Sequence, residues 1–164
     1  MTEQEIRVVD ALVAVYCAPG AAHGADDPGL HWPRIAFSVR SGLYLWVYDG
    51  AGQCVGWGSW FRVDLETLEA IRTGDVDDWI RSGRLVDVVH GPHCVIADVV
   101  VVPGAPLETY RRVIDEIGAR NQAADSLNGQ LTKRNGLERW AVRINDGSPF
   151  WWRRCQSAWT AVLH

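Results

Sequence analysis

The chain is poor in sulfur, with one methionine and four cysteines in 164 residues. Cys17, Cys54, Cys94 and Cys155 are widely spaced and form no Cys-x-x-Cys pair, which excludes a disulfide framework and the common zinc ribbons. They read as reduced, mostly buried small hydrophobes. No apolar run reaches the roughly 18 residues of a membrane span, even with the valines around Asp98 counted. The opening MTEQEIRVVD is acidic and lacks the basic-then-apolar design of a signal peptide, so a cytoplasmic location is expected. Positive charge is not in excess either. The net charge of −4 argues against a dedicated nucleic-acid binder; Arg139, Arg143, Arg153 and Arg154 read as a solvated face, with a local basic patch as the alternative. There is no Gly-x-Ser-x-Gly elbow for a serine nucleophile. His90, His93 and Cys94 (HGPHC) match no standard zinc spacing, so no metal is expected.

Apolar residues make up 48% of the chain and nine residues are tryptophan, enough for one substantial core in a single domain over 1–164. Ile6, Val9, Leu12, Val13 and Tyr16 share a helical face and predict a first helix over 5–17. Residues 18–30, rich in Gly, Ala, Asp and Pro, predict a loop closed by Trp32-Pro33, with a short strand over Arg34–Val39. Leu43–Tyr48, the turn Asp49–Gly52 and Gln53–Phe61 predict a β-hairpin, and Gly56-Trp57-Gly58 within it marks a bulge or close backbone approach. Asp64 is a good N-cap for a helix bearing Leu65, Leu68 and Ile71, with a further helical turn at Asp78-Trp79-Ile80 ending at Gly83. Leu85–Val89 and Cys94–Val102 read as strands, the second buried on both faces. A helix over Leu107–Ile117 with Gly118 as its stop, a possible helix within 119–137, and a strand over Trp140–Ile144 complete the order before a Trp-rich tail. The sum predicts a mixed α/β (α+β) architecture, a mostly antiparallel sheet flanked by helices.

Asp98 is the first chemical candidate. An ionised carboxylate inside an apolar strand costs several kcal/mol unless it is paired or hydrogen-bonded. Its position shortly before a Pro-Gly loop and a helix start is one that functional sites favour. Asp87, in the shorter run before it, is the alternative. His31, beside Trp32 at the mouth of the long loop, is the candidate general base.

The string Leu43–Trp60 (LYLWVYDGAGQCVGWGSW), the Leu65–Ile71 helix, Asp78-Trp79 with Ser82-Gly83, Asp98 before Pro103-Gly104, and His31 before Trp32-Pro33 together resemble the lysine acyltransferases that activate RTX toxins. The likeness runs over residues 8–118 and includes Trp140–Asn145. It implies a fold like that of the GNAT acetyltransferases and transfer of a fatty acyl group from acyl carrier protein to a lysine of a protein acceptor. It also implies catalysis by His31 and Asp98, with the longer spacing after Gly83 leaving Asp87 open. Trp46, Trp57 and Trp60 are then expected to wall the acyl chain, and a homodimer is expected from the resemblance and the surplus of tryptophan. The GNAT coenzyme A loop, Q/R-x-x-G-x-G/A, holds pyrophosphate on backbone amides. Here Val102-Pro103-Gly104-Ala105-Pro106 stands in that place, and two prolines lack an amide hydrogen, which favours acyl carrier protein over acyl-CoA as donor, with no cofactor held. The alternatives are a CoA-dependent N-acetyltransferase acting on a small amine or peptide, and a GNAT-like binding or regulatory protein without catalysis that uses the tail as its contact surface.

Overall fold

The computed structural model describes residues 1–21, 24–73, 89–132, 138–152 and 160–161. Its helices are α1 (Glu3–Tyr16), α2 (Pro28–Arg40), α3 (Leu65–Thr73) and α4 (Glu108–Arg120). Its strands are β1 (Tyr44–Tyr48), β2 (Cys54–Val63), β3 (His93–Val101), β4 (Ser126–Thr132), β5 (Glu138–Ile144) and the short β6 (Thr160–Ala161). The strands are hydrogen-bonded in sequence order. Antiparallel pairing joins β1 to β2, β4 to β5 and β5 to β6, while β3 and β4, separated in sequence by α4, run parallel. This is a mixed α+β fold with a mostly antiparallel sheet and helices alongside, as the sequence leads one to expect.

By its contacts the chain divides into two compact units, Met1–Trp60 with Asp98–Glu116, and Phe61–Ala97 with Ile117–His164. In the first unit, Thr2 and Glu5 form a reciprocal capping box at the start of α1. The apolar stripe of α1 then buries Val9, Leu12, Val13 and Tyr16 against Ile35, Ala36 and Val39 of α2, with Trp57 and Val100 in the same cluster. Asp27 caps α2 by accepting from the Gly29 amide at 2.9 Å, and Pro28 takes the first helical position, where its missing N–H costs nothing. Pro33 lies inside the helix and has no N–H to give to the Gly29 carbonyl four residues back. The hairpin is in register from Tyr44↔Ser59 to Val47↔Gly56, with a bulge at Tyr48. Its turn is closed by Asp49, whose carboxylate accepts from the Ala51 and Gln53 amides, and by Gly52 at φ +77°. A Cβ on Gly56 would lie 2.7 Å from the Val100 carbonyl, so this glycine permits the close approach of β2 and β3.

In the second unit, Asp64 caps α3 through the Thr67 amide at 2.7 Å. The β3–β4 register runs from His93↔Ser126 to Ile96↔Gly129, and β4 pairs with β5 from Ser126↔Ile144 to Thr132↔Glu138.

Three expectations are overturned. The loop over 18–30 ends at Asp27, and Arg34–Val39 is the continuation of α2 and not a strand, because the cap and Pro28 start a helix that buries Ile35, Ala36 and Val39 on the face that α1 needs. Gly118 does not stop α4, which continues to Arg120; there the missing Cβ accommodates the Trp152 ring. The polar stretch 119–137 opens on the last two residues of α4, and beyond Arg120 its described residues hold strand β4 and no further helix, since Leu127 and Asn128 are fully buried in a strand held on both sides. The helical turn at Asp78–Ile80, Ser82-Gly83, residues 85–88 of the strand predicted before His90, Arg153, Arg154 and Cys155 lie outside the described residues.

Candidate functional site

Six residues of the first unit, Asp98, Ser59, Arg34, Tyr16, His31 and Asp26, form one continuous chain of contacts in an apolar setting. Asp98 stands in the C-terminal half of β3, a strand with no exposed residue, and its side chain is 3% exposed. Its charge is met by the guanidinium of Arg34 on α2, itself 7% exposed, in a close ion pair. Ser59 of β2 donates its hydroxyl to the same carboxylate oxygen at 2.5 Å. A buried carboxylate with both a cation and a hydroxyl donor meets the condition for keeping its charge in an apolar strand.

Arg34 reaches further. Its Nη2 donates to the Tyr16 hydroxyl at 3.1 Å, and its guanidinium carbon lies 5.4 Å from the centre of the Tyr16 ring. A further neighbour of Tyr16 is His31, one helical turn before Arg34 on α2, with ring centroids 4.6 Å apart. His31 Nε2 lies 2.9 Å from Asp26 Oδ2 in the preceding loop. The His31 side chain is 10% exposed, whereas the Asp26 side chain is 39% exposed, so the pair leads from the interior to the surface.

His31 therefore sits on a helix, not at the mouth of a loop, and the carboxylate on its ring is Asp26. Asp98 is joined to it by way of Arg34 and Tyr16. The expected direct partnership of His31 with Asp98 is replaced by this longer chain, because Arg34 on the same face of α2 takes the Asp98 carboxylate. Asp87 lies outside the described residues. Trp46 and Trp57 face each other across the hairpin register on the side of α1 and α2, Trp57 fully buried and Trp46 half-buried. Trp60, an odd number of positions from Trp57 along β2, points to the other face of the hairpin, so the three tryptophans do not line one groove. The Trp57 indole N–H finds no acceptor among the described residues.

The remaining candidates have ordinary partners. His93 Nδ1 lies 2.8 Å from the Ser126 hydroxyl, and burial pushes the Cys94 thiol up to about 12. Among the described residues no group of His, Cys, Asp and Glu is gathered to hold a metal ion. No described helix is long and apolar enough to cross a membrane.

Set against known proteins, the chain matches no protein-family model and no curated protein. The geometry carries the functional argument alone.

The loop after β3 closes as a tight turn. The Ala105 amide donates to the Val102 carbonyl at 3.0 Å, with Pro103 and Gly104 (φ +86°) at its corners. The Val102 amide is already bonded to the Val55 carbonyl at 3.0 Å. Pro103 and Pro106 have none, so Gly104 alone of the five offers an amide hydrogen.

Proposed function

We propose that the chain is a lysine acyltransferase in which His31 is the general base, the donor is a fatty acyl group on acyl carrier protein and the acceptor is a protein. The observation that carries this reading is the His31–Asp26 pair at 2.9 Å with Tyr16 packed on the imidazole. A carboxylate held against an imidazole is the arrangement of a base with its orienting acid. In the transfer, the imidazole takes the proton from the lysine amine as the amine nitrogen attacks the thioester carbonyl. The carbon–sulfur bond then breaks, the amide remains on the acceptor, and the carrier thiol leaves with a proton returned from the imidazolium. Asp98, held by Arg34 and Ser59, acts as a positioning residue in this scheme.

The turn after β3 supports this choice of donor. With one free amide, it makes a poor pyrophosphate cradle, which favours a donor held by protein contacts over acyl-CoA. The test is transfer from acyl-loaded carrier protein to a lysine-bearing protein acceptor. His31→Ala is expected to lower the rate about 10²–10⁴-fold, the usual worth of a general base. Unchanged transfer in His31→Ala refutes the assignment. Protection from thermal unfolding by acetyl-CoA would instead move the chain to the CoA-dependent class.

A second reading, a binding or regulatory protein without catalysis, is favoured by the low exposure of His31. Undiminished function in cells after His31→Ala and Asp98→Asn together would establish it.

A further inference from the structure

We infer that Arg34 and Tyr16 form a positioning bridge through which the buried Asp98 fixes the imidazole of His31. The inference rests on the reading of His31 as base and adds two residues that neither motif nor spacing identified. Each link is a contact between named groups: Asp98 ion-paired to Arg34, Arg34 Nη2 donating to the Tyr16 hydroxyl at 3.1 Å, and the Tyr16 ring 4.6 Å from the His31 ring. Tyr16 also packs on Trp57, at 5.9 Å between centroids. Tyr16 is 7% exposed. Its ring position is therefore set by packing and by the Arg34 donor on its hydroxyl. A guanidinium is suited to this task because its rigid fork can engage a carboxylate and a hydroxyl at once, which an ammonium on a flexible stem does poorly.

Asp26 meets the imidazole as its orienting acid, and the bridge fixes the plane of the ring. Neither Arg34 nor Tyr16 exchanges a proton with substrate. Their contribution is geometric, and a small displacement of a catalytic group is enough to lower a rate by about 10²-fold.

The experiment is a double-mutant cycle on the full chain with Tyr16→Phe and Arg34→Lys. Tyr16→Phe keeps the ring and removes the acceptor; Arg34→Lys keeps a cation opposite Asp98 and removes the fork. The first readout is steady-state transfer from acyl-loaded carrier protein to the protein acceptor. Each single variant is expected to lose about tenfold to a hundredfold in kcat with KM unchanged. The double variant should be no slower than the slower single, because both break the same bridge. The second readout needs no substrate: the His31 Cε1–H signal in proton–carbon NMR, assigned with His31→Ala. It lies in the ring current of Tyr16 and is expected to move in both single variants. Multiplying losses in kcat, or a His31 signal unmoved in both variants, overturns the bridge. If the wild type itself transfers no acyl group, the reading of function fails, and the NMR cycle alone decides the bridge.

Discussion

Removing the carboxylate of Asp98 takes from the Arg34 guanidinium, in a site that is 7% exposed, the buried carboxylate of its close ion pair. Arginine cannot shed its proton, so the charge cannot be relieved by neutralisation. Breaking a buried pair from one side costs about 3–5 kcal/mol, and Asp98→Asn is expected to fall in that range. For a chain of this size each kcal/mol corresponds to about 2–4 °C in Tm, so the melting temperature should drop by about 6–20 °C. Removing the other partner is less severe, since the abandoned carboxyl keeps the Ser59 hydroxyl and can neutralise itself by taking up a proton. Arg34→Met should therefore cost less than Asp98→Asn. The double variant Arg34→Met/Asp98→Asn, with neither charge of the pair left to bury, should be more stable than Asp98→Asn alone. Thermal and urea unfolding followed by circular dichroism measure all three. A loss below about 1 kcal/mol in Asp98→Asn, or a double variant less stable than that single, would refute the account of the pair.

Gly118→Ala should lower Tm despite the better helix former, because a Cβ at Gly118 would lie 2.4 Å from Trp152 Cγ; the expected cost is about 1–3 kcal/mol by unfolding. Asp64 is held below the usual carboxylate range chiefly by the Thr67 amide that it caps. Its stabilisation is present at neutral pH and is lost as pH falls through its lowered value. Asp64→Ala should accordingly reduce Tm at pH 7 and bring it closer to the wild-type value in strong acid, measured as Tm against pH. Among the described cysteines, Cys94 should be the last alkylated by iodoacetamide at pH 8 in the native protein, since burial holds its thiol at about 12, with mass spectrometry locating the label.

The hairpin, α1, α3 and β3 are legible in the sequence because local signals and burial agree there: alternation, a Gly turn, an Asp cap and a β-branched run. Helix α2 is the instructive failure. Asp27-Pro28 is a proper cap and first-turn signal, but Gly29 and Pro33 read as breakers, and Arg34–Val39 has the composition of a strand. Packing against α1 decides the matter. The same failure hid part of the site. Only when residues 28–40 are helical do His31 and Arg34 share a face, which gives Arg34 to Asp98 and leaves His31 to Asp26. The cost of an aspartate in β3 was readable from the chain; its partner, 64 positions earlier, was not. Tyr16 carried only the signal of a buried helical stripe.

Pro33 has a consequence for access to the imidazole. It leaves α2 one rung short between the turn that carries His31 and the turn that carries Arg34, Ile35 and Val39. Local opening of a helix follows its weakest rungs, so amide hydrogens at Leu30–Trp32 should exchange with solvent faster than those at Phe37–Val39. An opening of that first turn would uncover His31 while the Arg34–Asp98 pair stays closed. The helix can then be read as a hatch and its frame, with the base on the hatch and the buried charge in the frame.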